Sequence, residues 1–210
     1  MTVHPRCDHH DQPVTLKAPS QPTPLSAWTD AAARATTVPD GPRPEALNGI
    51  PFTPWVDAPA TPAAWAQVPG EGDFEEPPRP VSRLHLTAGV VIVEPDGRVW
   101  SVSPSNAFGG YVTTFPKGHP EEGHGLRATA IKEAFEETGL QVELTGWLVD
   151  VARTTSIARY YLARRVGGDP AAMGWESQAV HLVPMKLLPV HLTHPKDQPI
   201  LAALAKHLAL

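Results

Sequence analysis

Glu133, Glu136 and Glu137 are the side chains in this sequence best placed to act together. Residues 126–138 read as a helix, and at about 100° per residue Glu136 falls roughly −60° and Glu137 roughly +40° from Glu133. Ala128, Ile131, Ala134, Phe135 and Thr138 lie on the opposite side and form an apolar face that can pack on a sheet. Three carboxylates in one narrow arc repel each other, and Lys132, four residues before Glu136, offsets only part of that repulsion. A cluster of oxygen ligands on a rigid element suits a hard divalent cation such as Mg²⁺ or Mn²⁺. Three glutamates alone more often form a solvated acidic face. Here, however, Phe115-Pro116-Lys117-Gly118-His119-Pro120 leads toward the helix, a glycine turn with a lysine where phosphate oxygens can dock.

The elements that must position these groups are legible mainly downstream of residue 83. Residues 84–93 are a β-rich apolar run, Pro95-Asp96-Gly97 is a turn, and 98–102 a second strand, so a hairpin is expected. Gly109-Gly110 breaks the chain before a short segment at 111–115. Gly139 stops the carboxylate helix in the usual C-terminal position. Residues 142–151, 158–166 and 179–184 are further strand candidates. Residues 198–208 form an amphipathic helix with Asp197 as its expected N-cap.

The segment from Gly118 to Leu140 resembles the Nudix box. The family pattern is Gly, five residues, Glu, seven residues, then Arg-Glu-apolar-any-Glu-Glu-any-Gly-apolar. This chain has Gly118, five residues, His124, seven residues, then Lys132-Glu133-Ala134-Phe135-Glu136-Glu137-Thr138-Gly139-Leu140. The resemblance extends more loosely over residues 83–210. It implies an α/β Nudix-type fold, a mixed sheet sandwiched between helices, with the box forming loop-helix-loop. It also implies a pyrophosphohydrolase that uses Mg²⁺ or Mn²⁺ to cleave a diphosphate bond. Implied metal ligands are Gly118, Glu133, Glu136 and Glu137, with Glu176 as the extra carboxylate from outside the box; Glu133 and Glu137 are the implied catalytic groups. The sequence departs at two positions, His124 for the family's glutamate and Lys132 for its arginine. In the family that pair supports the loop, so here the loop must be held otherwise, through Glu121 or Glu122. A catalytically weak nucleotide-binding sensor with the same fold is the alternative that these departures favour.

Lys117, Phe108, Tyr111 and Arg159 are the substrate-binding candidates: Lys117 and Arg159 for phosphate, Phe108 and Tyr111 for stacking on a base, although such aromatics more often only pack. The substrate expected is a nucleoside diphosphate linked to another group, or a dinucleoside polyphosphate. A net charge of −5 with no basic stripe argues against a nucleic-acid surface without excluding a single nucleotide. Cys7 alone cannot form an internal disulfide, and no apolar run approaches the roughly 20 residues of a membrane helix. A cytoplasmic protein is expected; a homodimer is left open. Of 25 prolines, most precede residue 81. Because proline removes an amide donor and fixes φ, residues 1–45 are expected to be a flexible tail with at most a short helix over residues 28–35. Residues 46–82, carrying Ile50, Phe52, Trp55, Trp65 and Phe74, read as an irregular arm packed on a domain spanning 83–210.

Overall fold

The computed structural model describes residues 2–68, 73–106 and 110–208. In chain order the strands are β1 (Thr2–Val3), β2 (Thr15–Leu16), β3 (Ala35–Thr37), β4 (Ala46–Leu47), β5 (Ile50–Pro51), β6 (His85–Ile92), β7 (Arg98–Pro104), β8 (Lys117–Gly118), β9 (Leu140–Ala152), β10 (Ser156–Gly168) and β11 (Ser177–Pro184). The α-helices are α1 (Ser26–Thr29), α2 (Pro62–Ala66), α3 (Leu126–Thr138), α4 (Leu188–His191) and α5 (Gln198–His207). A mixed four-stranded sheet runs β8-β6-β10-β9, with β6 and β10 parallel and the other pairs antiparallel. An antiparallel sheet runs β3-β11-β7. The body is the expected α/β arrangement, with α3 packed on one side and α5 on the other.

Two cores account for that layering. Ala130, Ile131 and Ala134 of α3 meet Val90, Ile92 and Tyr161 of the four-stranded sheet, with Trp100, Val102 and Val180 of the three-stranded one. On the other side Ile200, Leu201 and Leu204 of α5 meet Val91, Leu148, Tyr160 and Leu162. The α3 helix ends where Gly139 adopts φ 71°, and its amide donates to the Phe135 carbonyl at 2.7 Å. Only glycine takes that left-handed conformation without strain.

The expected hairpin of β6 and β7 is only partly present. The turn closes through Gly97 N–H to Glu94 O (2.9 Å), but beyond the single bridge Val93–Val99 the two strands separate into different sheets. Val90, Val91 and Ile92, like Val99, Trp100 and Val102, are buried on both faces. A two-stranded ribbon cannot cover both faces, whereas divergence gives each strand its own flanking partners and core.

Residues 2–45, expected to be flexible, are instead fixed to the body at several points, with His4, Leu16, Trp28 and residues 35–37 buried and much of the remainder exposed. β3 extends the three-stranded sheet in the register Ala35–Leu182, Thr36–His181 and Thr37–Val180. Trp28 is completely buried among Phe52 (5.8 Å between ring centroids) and Trp100 (6.1 Å). The Arg98 guanidinium donates to the carbonyls of Ala27, Trp28 and Asp30, the one at Trp28 at 2.7 Å. Proline bars a long helix or an interior strand but not an irregular chain whose carbonyls are satisfied by side-chain donors. The helix near Trp28 covers Ser26–Thr29 rather than continuing to residue 35.

Downstream, Phe52 and Trp65 are buried, and Trp55 and Phe74 pack partly on the same core. A fully buried ion pair, Arg165 Nε to Glu94 Oε1 at 2.6 Å, anchors this stretch. Arg165 also donates to the Leu47 carbonyl, while Glu94 accepts from Asn48 and from the indole of Trp100.

Candidate active site

The carboxylates converge because α3 lies across the end of β8. Carboxylate oxygens of Glu133, Glu137 and Glu176 all lie within 4.8 Å of one another. Glu133 is buried, Glu137 half-buried, and Glu176 exposed at the rim, just before β11. Gly118 has no side chain where the Glu133 carboxylate sits, and a methyl group there would overlap it. The amide of Lys117 donates to Glu137. Burial, then the charges of Glu136 and Glu176, push the Glu133 carboxyl far above the usual carboxylate range. Glu137 is raised in the same direction by burial and by Glu133. Gathering these groups therefore costs energy that a divalent cation would offset, and three converging carboxylates are the donor set such an ion takes.

Glu136 is close enough for its charge to act on Glu133 and Glu176, but it is engaged by a lysine. Its carboxylate accepts from Lys132 Nζ at 2.5 Å, and the same ammonium pairs with Glu121 at 2.9 Å. Glu121 is thus the loop partner of Lys132, one of the two groups expected to compensate. His124 has a different partner: its Nε2 lies 2.7 Å from the carbonyl of Pro62, in α2.

A cleft of about 570 Å³ opens beside Glu137 and Glu176, lined also by Thr87, Lys117, Gly118 and His119. Its other walls bring together Tyr111, Arg153, Trp175, His194 and Lys196. Tyr111 stacks on His194 with 3.9 Å between centroids, and its hydroxyl accepts from Arg153 at 2.9 Å. Arg153 is held in turn by Asp197 (2.9 Å) and donates to Tyr160 (2.8 Å). Asp197, expected as a helix cap, makes no side-chain capping bond and serves Arg153 instead. The hydroxyls of Thr87 and Thr114 are buried at the cleft without a protein partner. The cleft is therefore anionic at the α3 end and carries Lys117, Arg153 and Lys196 along its walls.

Arg159, expected to meet phosphate, lies elsewhere. It is almost fully buried, with two donors on Asp150 (both 2.8 Å) and others on Glu76 (3.1 Å) and the carbonyls of Pro77 and Pro78 (2.9 and 3.0 Å). It lines a second hollow and fastens residues 76–78 to the sheet. A strand position facing the α3 side, two residues before Tyr161, accounts for this, since side chains alternate between faces. Phe108 lies outside the described residues. Arg153, Trp175, His194 and Lys196 were not anticipated. They come from loops far apart in sequence, and the polar cluster Arg153-Thr154-Thr155-Ser156 between two strands is the only local signal any of them carried.

A family model described as NUDIX domain matches residues 83–204. An RNA pyrophosphohydrolase from Caulobacter vibrioides (strain NA1000 / CB15N) is 38% identical over 92 residues, 43% of this chain and 50% of that protein. The chain thus spans about half the length of the curated relatives it matches. Among solved structures, a NUDIX hydrolase from Nitrosomonas europaea superimposes with a TM-score of 0.52 at 17% identity, covering 60% of this chain and 90% of the other. A C. elegans Ap4A hydrolase in a binary complex gives 0.50 at 18% identity, covering 60% and 98%. At those identities the likeness is one of fold. Among the described residues no helix is long and apolar enough to cross a membrane.

Proposed function

The chain belongs to the Nudix family, and from that premise we propose that it is a metal-dependent hydrolase of a phosphoanhydride bond. The substrate class proposed is a nucleoside diphosphate linked to another group, or a dinucleoside polyphosphate. The observation that carries this reading is the convergence of Glu133, Glu137 and Glu176 within 4.8 Å beside a cleft walled by cations.

In this proposal Glu133, Glu137 and Glu176 hold Mg²⁺ or Mn²⁺, with the Gly118 carbonyl as a further oxygen donor. Such an ion, when bound, polarises phosphate oxygens and acidifies a coordinated water. Glu133, at the inner end of the cluster, receives the proton of the attacking water. Lys117 is near enough for its charge to act on all three glutamates, so it can neutralise the departing phosphate. Glu136 is left to orient Lys132. Tyr111, stacked on His194, offers an aromatic surface in the same cleft. The alternative of a catalytically weak nucleotide sensor is disfavoured by the intact trio and by the partners found for Lys132 and His124.

The test is hydrolysis by the purified chain with Mg²⁺ or Mn²⁺ across a panel of nucleotide diphosphates, dinucleoside polyphosphates and 5′-phosphorylated RNA. RNA is included because the chain is similar to an RNA pyrophosphohydrolase. The Glu137→Gln variant removes charge but not volume, and its kcat/KM should fall more than about a hundredfold, or roughly 2.7 kcal/mol of transition-state stabilisation. Unchanged turnover in that variant would remove Glu137 from the mechanism.

A further inference from the structure

The family's Glu–Arg loop support is absent from this chain, yet the loop ahead of α3 is tied down at both of the altered positions. Lys132 is occupied by Glu121 and Glu136. His124 is 8% exposed and bonds instead to a segment about sixty residues upstream. A carbonyl only accepts, so the ring donates Nε2–H to Pro62 O across 2.7 Å. The receiving helix α2 is itself anchored: Thr61 caps it by accepting from the Ala64 amide at 3.2 Å. Its Trp65 packs with Trp55 (5.8 Å) and Phe135 (6.1 Å), and Trp55 meets Phe135 at 5.3 Å. Phe135 lies on α3, between Glu133 and Glu137 in sequence and on the opposite face of the same helix. The arm therefore holds the box at two points, one on the loop and one on the helix that carries the carboxylates.

We propose that His124 is a positioning residue, through which the arm of residues 55–66 holds the loop and the α3 carboxylates in the geometry that binds a divalent cation. The arm replaces the missing Glu–Arg pair, and the proposal rests on the metal reading given above. Restoring the family's glutamate and arginine should therefore weaken metal binding rather than strengthen it. His124→Glu places an acceptor against the Pro62 carbonyl, and Lys132→Arg cannot recover what is lost, because position 132 is already committed to Glu121 and Glu136.

The test compares His124→Ala, His124→Gln and the double variant His124→Glu/Lys132→Arg with the wild type, using the full chain. Two readouts are taken: Mn²⁺ binding, by electron paramagnetic resonance of free Mn²⁺, and amide hydrogen exchange without metal. Glutamine is the variant that keeps a side-chain N–H donor. His124→Ala and the double variant should bind Mn²⁺ about three- to tenfold more weakly, the effect of one neutral hydrogen bond. Both should exchange faster at residues 119–125 and 61–66, and His124→Gln should recover most of each change. If His124→Ala proves unfolded, glutamine against the double variant carries the same comparison. Unchanged exchange in the variants would overturn the latch whether or not metal binds. Faster exchange with unaltered Mn²⁺ affinity would show a merely structural contact and overturn the positioning role. A double variant that binds Mn²⁺ as well as the wild type would do the same. A wild type that binds no Mn²⁺ would overturn the metal reading, and the proposal with it.

Discussion

Replacing Trp28 by alanine should destabilise the protein severely, although Trp28 lies in a stretch whose composition suggests a loose tail. The indole is completely buried, with Phe52 and Trp100 against it. Its Nε1 has no protein partner, so the loss is one of packing rather than of a hydrogen bond. Burying a tryptophan removes about 150–250 Å² from water, or ~4–6 kcal/mol at ~25 cal/mol/Å². An extended reference chain overstates that by roughly 10–40%, which brings the figure to ~3–5 kcal/mol, the range found for Trp→Ala in cores. For a chain of this size that corresponds to a fall in Tm on the order of 10 °C. The assay is equilibrium urea unfolding followed by far-ultraviolet circular dichroism, because six tryptophans would blur a fluorescence signal. Leu25→Ala is the control: that side chain is half exposed and should be nearly silent. A Trp28→Ala variant within 1 kcal/mol of the wild type would refute the claim that this segment is part of the core.

Deleting residues 1–45 should therefore destabilise the chain too, since it removes β3 and the carbonyls that satisfy Arg98; a melting temperature equal to that of the full chain would contradict this. Arg159→Ala should cost about 2–3 kcal/mol by leaving Asp150 and the carbonyls of Pro77 and Pro78 without their donor, while Glu76 keeps Arg127 and Tyr161, and KM should be unchanged, because its side chain is walled off from the cleft; a selective rise in KM would return Arg159 to the substrate. Gly118→Ala should weaken Mn²⁺ binding by at least about tenfold, by displacing the Glu133 carboxylate; calorimetric titration would show it. His181 and His191 meet ring to ring at 4.9 Å, and burial lowers them to about 3 and about 4. Both are thus neutral when folded but protonate when unfolded, so their contribution is present above pH ~6.5 and is lost as pH falls toward 4, by up to ~1.4 kcal/mol per pH unit for each. The check is the pH slope of stability relative to His181→Gln, in which the raised pKa values of the buried carboxylates cancel; identical slopes would sink the argument.

The fold was legible wherever a local rule decides the structure. Residues 126–138 form α3 because apolar positions recur at helical spacing and Gly139 can turn the chain, both readable from neighbours in sequence. Residues 35–37 were not legible as a strand: three residues, two of them threonine, carry no periodicity. They pair because β11 leaves an edge open beside them. The packing of Trp28 had only its own hydrophobicity as a signal, and its partners lie on β7 and at Phe52. Proline density spoke truly about long regular elements but was silent on irregular chain held by Arg98 and Arg165, two buried guanidiniums whose acceptors are mostly backbone carbonyls.

The same division runs through the candidate site. Glu133 and Glu137 share one helix, so their convergence follows from 3.6 residues per turn, and the helix period places Glu136 beside them as well. What the period cannot say is that Lys132 draws Glu136 aside while Glu176 arrives from the β11 side to complete the trio. The rest of the cleft lining is wholly non-local: Tyr111, Arg153, Trp175 and His194 meet only after the sheets have formed. Groups on one helix can be inherited with that helix, whereas groups on separate loops can change independently. Selectivity among diphosphate substrates should therefore reside in that lining. Substituting Tyr111 or His194 should shift KM between substrates more than kcat on any one of them, and a uniform fall in kcat across the panel would place them in the reaction instead.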